Sequence, residues 1–480
     1  MPTMCDIDKL KKVIQEIKDD YKAEASGKKL SRRWLQDFNK EVQELKQYRG
    51  REILELLQNA DDAKSDKVII IHDTHLNKLR ITNSGDATEL FSNKGFESIL
   101  FANLSSKQGL NFIGEKGLGF RSVLNWASSI EIQSGNVSLK FNEANTFEFW
   151  HEMKELMSRT AVNSSVYEKT AEGANRKAPL AILSLPQIEK LTNGINETTI
   201  TLDYRPDKQD EITNELMAIK PYSLLFLHNI KAVKIKENGC VKKDFRRTES
   251  VSDNGITKIF VNDEEWVVSS EKGVNNGKQY EASCAYAPNE NLDEPVYTFF
   301  PTETYFNLPY ILHATFNLDS SRKSLIEKDE ENEFMIKKLS ECVKRIADYL
   351  KCTTRGNEPN WSIFRFMRPD RTKQTQNEYC KLIYDCLYKV DGDFVPVLGG
   401  GYGNERDVFF YDSKLFDFLK EDGKNVFADM CCSGIPKYAE EIIDLKDNRE
   451  RERIELYAKE IQNYSRLAEF IKLLVDFITA

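Results

Sequence analysis

Glu55 and Asn59 stand four residues apart in ELLQNADDA, Glu55 to Ala63, where apolar positions recur at helical spacing. On a helix that spacing lifts both side chains from one face, one turn apart. A carboxylate so placed can polarise a water for attack on a phosphate, and an amide oxygen one turn on can complete the octahedral oxygen shell of Mg²⁺. Further along, IGEKGLGFRSV, Ile113 to Val123, holds Gly114, Gly117 and Gly119. Glycines let a backbone pass close to phosphates. Phe120, Val123, Leu124 and Ala127 follow at helical spacing, so the turn is expected to open a helix whose first amides face an anion.

Each phrase has a plainer reading. ELLQNADDA is also an ordinary amphipathic helix with Ile53, Leu54, Leu57 and Ala60 as its core, and a glycine triad by itself specifies little. Their order, and what lies between them, favours a nucleotide site. KVIIIHDTHLNKLRITNSG, Lys67 to Gly85, reads as two strands around a turn that end in Asn83, Ser84 and Gly85.

On these phrases the chain resembles the GHKL ATPase superfamily, which includes gyrase B, a heat-shock chaperone, histidine kinases and MutL, and within it the sacsin-like branch. YRGREILELLQNADDA is similar to that branch's N box, RITNSG stands at its adenine-contacting G1 box, and IGEKGLGF at its G2 box; the motifs occupy residues 48 to 130. The resemblance implies an N-terminal Bergerat fold, an α/β sandwich in which ATP lies between helices and a mixed sheet under a lid from about Asp86 to Phe112. It makes Glu55 the general base and Asn59 the Mg²⁺ ligand, and places Asp62, Ala63, Asn83 and Gly85 against the nucleotide. Gly114, Gly117, Leu118 and Gly119 become the phosphate turn, packed by Phe120. Lys107 either touches the terminal phosphate or is solvated. The threonine near the adenine falls in ETTITLDY, at Thr198 with Thr199 as the alternative. Most of the superfamily has Asp where this chain has Asn83; an amide oxygen still accepts from the adenine amino group but lacks the carboxylate's charge.

A second resemblance, to the transducer or middle domain of the same proteins, rests on LPYILHATFNLDSSRKSLIEK, Leu308 to Lys328. It implies that Arg322, with Lys323 as the alternative, reaches the γ-phosphate. A planar guanidinium suits spreading phosphate charge better than an ammonium does.

The elements that must position these residues follow from where the pattern changes. Residues 1 to 50 read as helices, with Leu30, Trp34, Phe38, Val42 and Leu45 near helical spacing. SIEIQ, VSLKF, LAILSLP and TITLDY read as strands that complete a first domain, residues 1 to 204. Pro206 and a helical pattern from Asp207 to Lys220 lead into an α/β transducer-like domain, residues 205 to 355, of strands closed by a helix from Glu330 to Leu350. Residues 356 to 480 read as mainly helical, with Trp361, Phe364 and Phe366 in a core, GGGYG as a hairpin loop, and EFIKLLVDFITA as a helix that packs on something. The fold class is therefore α/β.

A chain of 480 residues calls for two or three domains. With 77 acidic and 68 basic residues the net charge is -9, which argues against a chain-wide nucleic-acid footprint. The stretch holding Lys231, Lys234, Lys236, Lys242, Lys243, Arg246 and Arg247 reads as the solvated side of a hairpin, with a phosphate backbone as the alternative partner. Nine scattered cysteines without CxxC fit a reducing cytosol; Cys431 and Cys432 are adjacent, which suits neither a disulfide nor a zinc site. Neither a membrane span nor a secretory start is expected. None of the histidines, His72, His75, His151, His228 and His313, sits in a phosphoacceptor helix, and a separate acidic cleavage domain is not seen, which disfavours a histidine kinase and a topoisomerase. The expected function is an ATP-binding, ATP-hydrolysing switch that pairs two chains on ATP. The alternative is a nucleotide-sensing module with little turnover. The branch occurs in chaperone-like proteins and in bacterial defence systems; the client is not legible.

Overall fold

Apolar residues spaced three and four apart set the first helices. In the computed structural model, which describes residues 5–29, 32–47, 50–101, 119–160, 163–250, 255–288, 292, 294–319, 321–353, 361–408, 413–422, 427, 431, 434–441 and 450–479, α1 (Ile7–Ala25) buries Leu10, Ile14, Ile17, Tyr21 and Ala25 as one stripe. Its Asp6 cap accepts from the N–H groups of Asp8 and Lys9. α2 (Arg33–Gln47) buries Trp34 and Phe38, and α3 (Glu52–Asp62) is buried along most of its length.

After α3 the period changes to two. β1 (Lys67–Asp73) and β2 (Lys78–Ser84) form a hairpin that turns at Asn77, whose φ is 51°. There follow α4 (Asn93–Leu100), a 3₁₀ turn at Gly119–Asn125, β3 (Ala127–Asn142), α5 (Glu143–Ser158), α6 (Ser165–Gly173), β4 (Gln187–Tyr204) and α7 (Gln209–Ala218). The strands β5 (Ala232–Glu237), β6 (Cys240–Glu249), β7 (Ile256–Val261), β8 (Glu264–Asn275) and β9 (Lys278–Tyr286) form a meander. β10 (Pro295–Thr298), β11 (Phe300–Tyr305) and β12 (Ile311–Ala314) complete the sheet. The last stretch is mainly helical: α8 (Glu330–Thr353), α9 (Ser362–Met367), α10 (Glu378–Lys389), the small hairpin β13 (Asp393–Pro396) and β14 (Tyr402–Asn404), then α11 (Ser413–Asp422), α12 (Glu450–Glu460) and α13 (Tyr464–Thr479).

Twelve strands make one mixed sheet in the order β11-β10-β12-β9-β8-β7-β6-β5-β1-β2-β4-β3. Its two halves join where β1 runs parallel to β5, Lys67 opposite Ala232. One half carries α1 to α7 over a core that includes Val68, Ile81, Ile130, Leu202 and Val233. On the other half side chains alternate between faces. Val267 of β8 packs toward α8, α9 and α10, while Trp266 and Val268 pack on the opposite face with Phe226 and Tyr297. A fourth cluster joins α11, α12 and α13 through Leu415, Phe418, Tyr457 and Phe470. Trp361, Phe364 and Phe366 are buried, as expected. Among the described residues no helix is long and apolar enough to cross a membrane.

Four local expectations are corrected. LAILSLP is not a strand: Ile182–Ser184 is a 3₁₀ turn, and the N–H groups of Ile182 and Leu183 donate to buried Glu41 at 3.0 and 3.2 Å instead of to a neighbouring strand. The run after the glycines is a 3₁₀ turn that stops at Asn125: Phe120 to Leu124 are all buried, and Ala127 already enters β3. SIEIQ and VSLKF are one strand, bent at Gly135 with φ 60°. Residues 86–101 of the expected lid are anchored, since α4 buries Phe96, Ile99 and Leu100 in the first core.

Candidate functional site

The candidate site is built on α3, and buried carboxylates fix that helix at both ends. At its start Glu52 accepts from the N–H groups of Gly50 and Arg51 at 2.8 and 2.9 Å and from Asn125 Nδ2 at 2.9 Å. At its end Asp61, fully buried, accepts from the N–H groups of His228, Asn229 and Ile230 at 3.1, 2.8 and 2.8 Å. Three otherwise orphaned backbone donors in the approach to β5 are thereby satisfied. Between these ends the helix presents Glu55, 4 % exposed, and half-buried Asn59 one turn on.

Arg322 comes to Glu55 from a loop 267 residues away. Its Nη1 donates to Glu55 Oε1 at 3.2 Å and Oε2 at 3.5 Å, and to Gln58 Oε1 at 3.4 Å. The loop is shaped by Asp319, which accepts from the N–H groups of Arg322, Lys323 and Ser324, and it holds Arg322 in the left-handed region at φ 58°. Lys323, the alternative, turns away to Glu303 at 3.2 Å. Arg51 also faces this cluster. Its Nη1 donates to the Pro301 carbonyl at 3.1 Å, and burial lowers its pKa against the opposing pull of Glu55. A cavity of about 270 Å³ abuts it, lined in part by Arg51, Leu54, Tyr297 and Lys323; a larger one, about 700 Å³, lies apart between the β7–β8 turn and the end of α8.

The second group of candidates meets on the sheet. Asn83 of β2 stands opposite Thr198 of β4 in the antiparallel register, and both are buried. Asn83 Nδ2 donates to Ser65 Oγ at 2.7 Å, and Thr198 Oγ1 shares a hydrogen bond with Ser134 Oγ at 2.8 Å. Thr199 pairs instead with Thr82 at 3.0 Å, on the other side of the strand. Gly85 follows with φ 152°, and a Cβ there would meet Asp66 Oδ1 at 2.6 Å and the Asp66 backbone nitrogen at 2.9 Å, so only glycine fits. Asp62 is buried, and the Ala63 carbonyl accepts the Glu89 N–H at 2.7 Å.

Phe120 is buried beside Gly119 at the start of the 3₁₀ turn. Arg121 ties that turn to α2 and α4, bonding Glu44 at 3.1 Å, Glu41 at 3.6 Å and the Ile99 carbonyl at 2.9 Å. Lys107, Gly114, Gly117 and Leu118, and the lid from residue 102 to 112, lie outside the described residues. Sequence reasoning missed Gln58, Arg51, Ser65, Ser134 and Asp61. Arg51, Gln58 and Asp61 were inside the phrase already singled out, while the two serines carry no local signal. Part of the basic stretch is paired inside its own hairpin, Lys234 with Asp244 at 2.8 Å and Lys242 with Glu237 at 3.1 Å, while Lys243 donates to the Ile219 carbonyl at the end of α7 at 2.7 Å.

No family model matches the chain. Among curated proteins it is similar to Protein NO VEIN of Arabidopsis thaliana, 27% identical over 317 residues, which is 61% of this chain and 11% of that protein. The chain thus spans about a tenth of that relative's length. Among solved structures it is similar to the ATPase region of Saccharomyces cerevisiae topoisomerase II, at 9% identity over 52% of this chain and 60% of that one, with a TM-score of 0.27. A TM-score that low does not establish a shared fold.

Proposed function

We propose that this chain binds ATP with Mg²⁺ on the face of α3 that carries Glu55 and Asn59 and hydrolyses it, acting as a conformational switch of the sacsin-like GHKL type. The observation that carries the reading is the contact between Arg322 and Glu55. A buried carboxylate, an arginine from a distant loop and an amide one turn away are the three groups phosphoryl transfer needs: a base, a charge clamp and a metal ligand. The residues present fit the cofactor. Mg²⁺ uses one or two protein oxygens and completes its shell with phosphates and water, so Asn59 suffices although no cluster of three acidic, histidine or cysteine ligands occurs among the described residues. Asn83, with its amide nitrogen committed to Ser65, offers its oxygen to an adenine amino group, and Thr198 lies across the ladder from it.

When bound, nucleotide and Mg²⁺ supply the phosphoryl group and the charge that offsets it. Glu55 takes a proton from the attacking water. In the structure Arg322 Nη1 donates to both of its oxygens, so Glu55 faces that water once Arg322 has moved to the phosphate. Arg322 exchanges that carboxylate for the charge on the terminal phosphate, which makes it both clamp and sensor. Gly85 and the Gly119–Phe120 turn keep backbone near the ligand; Lys107, Gly114, Gly117 and Leu118 complete the phosphate end in this reading. Two chains pair on ATP, and the setting is that of the branch's chaperone-like or defence proteins.

A second reading, a nucleotide sensor with little turnover, is favoured by the same contact, since Arg322 occupies both oxygens of the base. Calorimetry with and without Mg²⁺, beside phosphate release, separates the two. Glu55→Ala is expected to bind ATP nearly as wild type yet lose turnover by ~10²-fold or more, and Asn59→Ala to lose the Mg²⁺-dependent part of binding. Wild-type turnover in Glu55→Ala would place the base elsewhere; tight binding without turnover in the wild-type chain would establish the sensor.

A further inference from the structure

Two carboxyl groups meet in the core at the first turn of α3. Glu52 is fully buried with both oxygens engaged by Gly50, Arg51 and Asn125. Glu215, on α7, accepts the Ile53 N–H through Oε2 at 3.2 Å, while its Oε1 is buried and no donor among the described residues reaches it as a carboxylate. The carboxyl group within hydrogen-bonding reach of Glu215 is that of Glu52. Two charged carboxylates so placed would repel each other out of reach of water, and one shared proton removes the repulsion and gives the stranded oxygen a partner.

We propose that Glu215 is a positioning residue: as a neutral acid it donates to Glu52 and accepts from Ile53, and so locks α7 onto the helix that carries Glu55 and Asn59. The other charges nearby are accounted for. Arg51, on the loop before α3, attracts Glu215 but is anchored on the Pro301 carbonyl. Glu211, one turn back on α7, adds negative charge and is held by Trp126 Nε1 at 3.2 Å and Lys208 at 3.0 Å. Burial first, then Glu52, raises the Glu215 pKa to about 9, against the opposing Ile53 N–H. Because the folded value lies above the ordinary 4.5, the native chain keeps a proton that the unfolded chain has lost between those limits. The stability it contributes is therefore full below the lower limit and falls away as pH rises through the upper one.

Glutamine at 215 can donate and accept in the same places without a proton to lose. The functional consequence rests on α3 being the nucleotide helix, but the test does not use turnover. Melting temperatures of wild type, Glu215→Gln and Glu215→Leu are measured from about pH 5 to about pH 9.5, with hydrogen exchange at Ile53, Leu54 and Glu55. The melting temperature of Glu215→Gln minus that of wild type is expected to climb by several degrees across the window and level off near its top, with the first turn of α3 protected as in wild type. Glu215→Leu is expected to melt below wild type at the acid end of the window and to lose protection in that turn by ~10-fold or more. A difference between Glu215→Gln and wild type that does not change with pH overturns the shared proton, and unchanged protection in Glu215→Leu overturns the lock. Absent ATP hydrolysis alongside the expected melting behaviour counts against the proposed function and leaves the lock standing.

Discussion

Asn83 shows how one atom's commitment decides another's availability. Its amide nitrogen is spent on Ser65, so in the proposed function the oxygen is the group that takes an adenine amino donor. Asn83→Ala is expected to weaken nucleotide binding by ~10-fold, the worth of one buried hydrogen bond, and Asn83→Asp to tighten it through a charge-assisted bond, both read by calorimetry. Unchanged affinity in both variants would move the adenine elsewhere. At the other end of the site, Arg322→Lys is expected to recover only part of the turnover lost in Arg322→Ala, because an ammonium cannot present two parallel donors to phosphate oxygens. Full recovery in a phosphate-release assay would reduce Arg322 to a point charge.

At the scale of elements, α3 depends on backbone groups that only side chains satisfy. Removing Asp61 as Asp61→Ala strands three N–H groups ahead of β5 and is expected to cost about 3 kcal/mol or more in urea unfolding. Gly85→Ala forces a Cβ into Asp66 at a φ that side chains avoid, with an expected cost of about 1–3 kcal/mol. On β9, burial pushes Glu281 up, but the hydrogen bond from His228 and the charges of His313 and Lys272 hold it at about 2. Burial lowers His313 to about 4. Both folded values lie below the ordinary ones, so both groups contribute stability at neutral pH. The histidine's share is lost as pH falls from 6.5 through 4, and the carboxylate's as it falls from 4.5 through 2. Melting temperature is expected to drop along that acid limb, and Glu281→Gln to flatten its lower part.

For the whole molecule, the sheet is continuous through β1 and β5, and the Arg322 loop and the Arg51–Pro301 hydrogen bond also bridge its halves. That loop is in turn tied to the helical stretch, since Asn332 of α8 bonds Asn317 and Ile326, and Tyr379 of α10 donates to the Ile326 carbonyl at 2.6 Å. In the proposed function, these hydrogen bonds connect a change of partner at Arg322 to α8 and α10. Arg322→Ala is expected to keep ADP affinity, lose hydrolysis by ~10³-fold, and lose any ATP-induced compaction in small-angle scattering. If turnover and compaction both survive, the loop is no part of the site.

The sequence by itself determined the elements whose pattern is local. Leu10, Ile14, Ile17 and Tyr21 at helical spacing, the alternation of KVIIIHD and KLRITNS, and the long amphipathic run of α8 can each be read because a helix or strand repeats every few residues. The same periodicity put Glu55 and Asn59 on one face, whereas Thr198 was named only through the resemblance and its place opposite Asn83 came from the fold. What lay beyond it was every decision made by burial of polar groups across long separations. LAILSLP has a strand's composition, yet Glu41, more than a hundred residues earlier, takes its amides and leaves a turn. Nothing near Lys67 says that it will lie beside Ala232, or near Glu215 that it will meet Glu52. Arg322 was named from its phrase, but that it rests on Glu55 was settled only by folding. A buried charge must find its partner wherever the chain has brought one, and that place is a property of the packed structure rather than of any stretch of sequence.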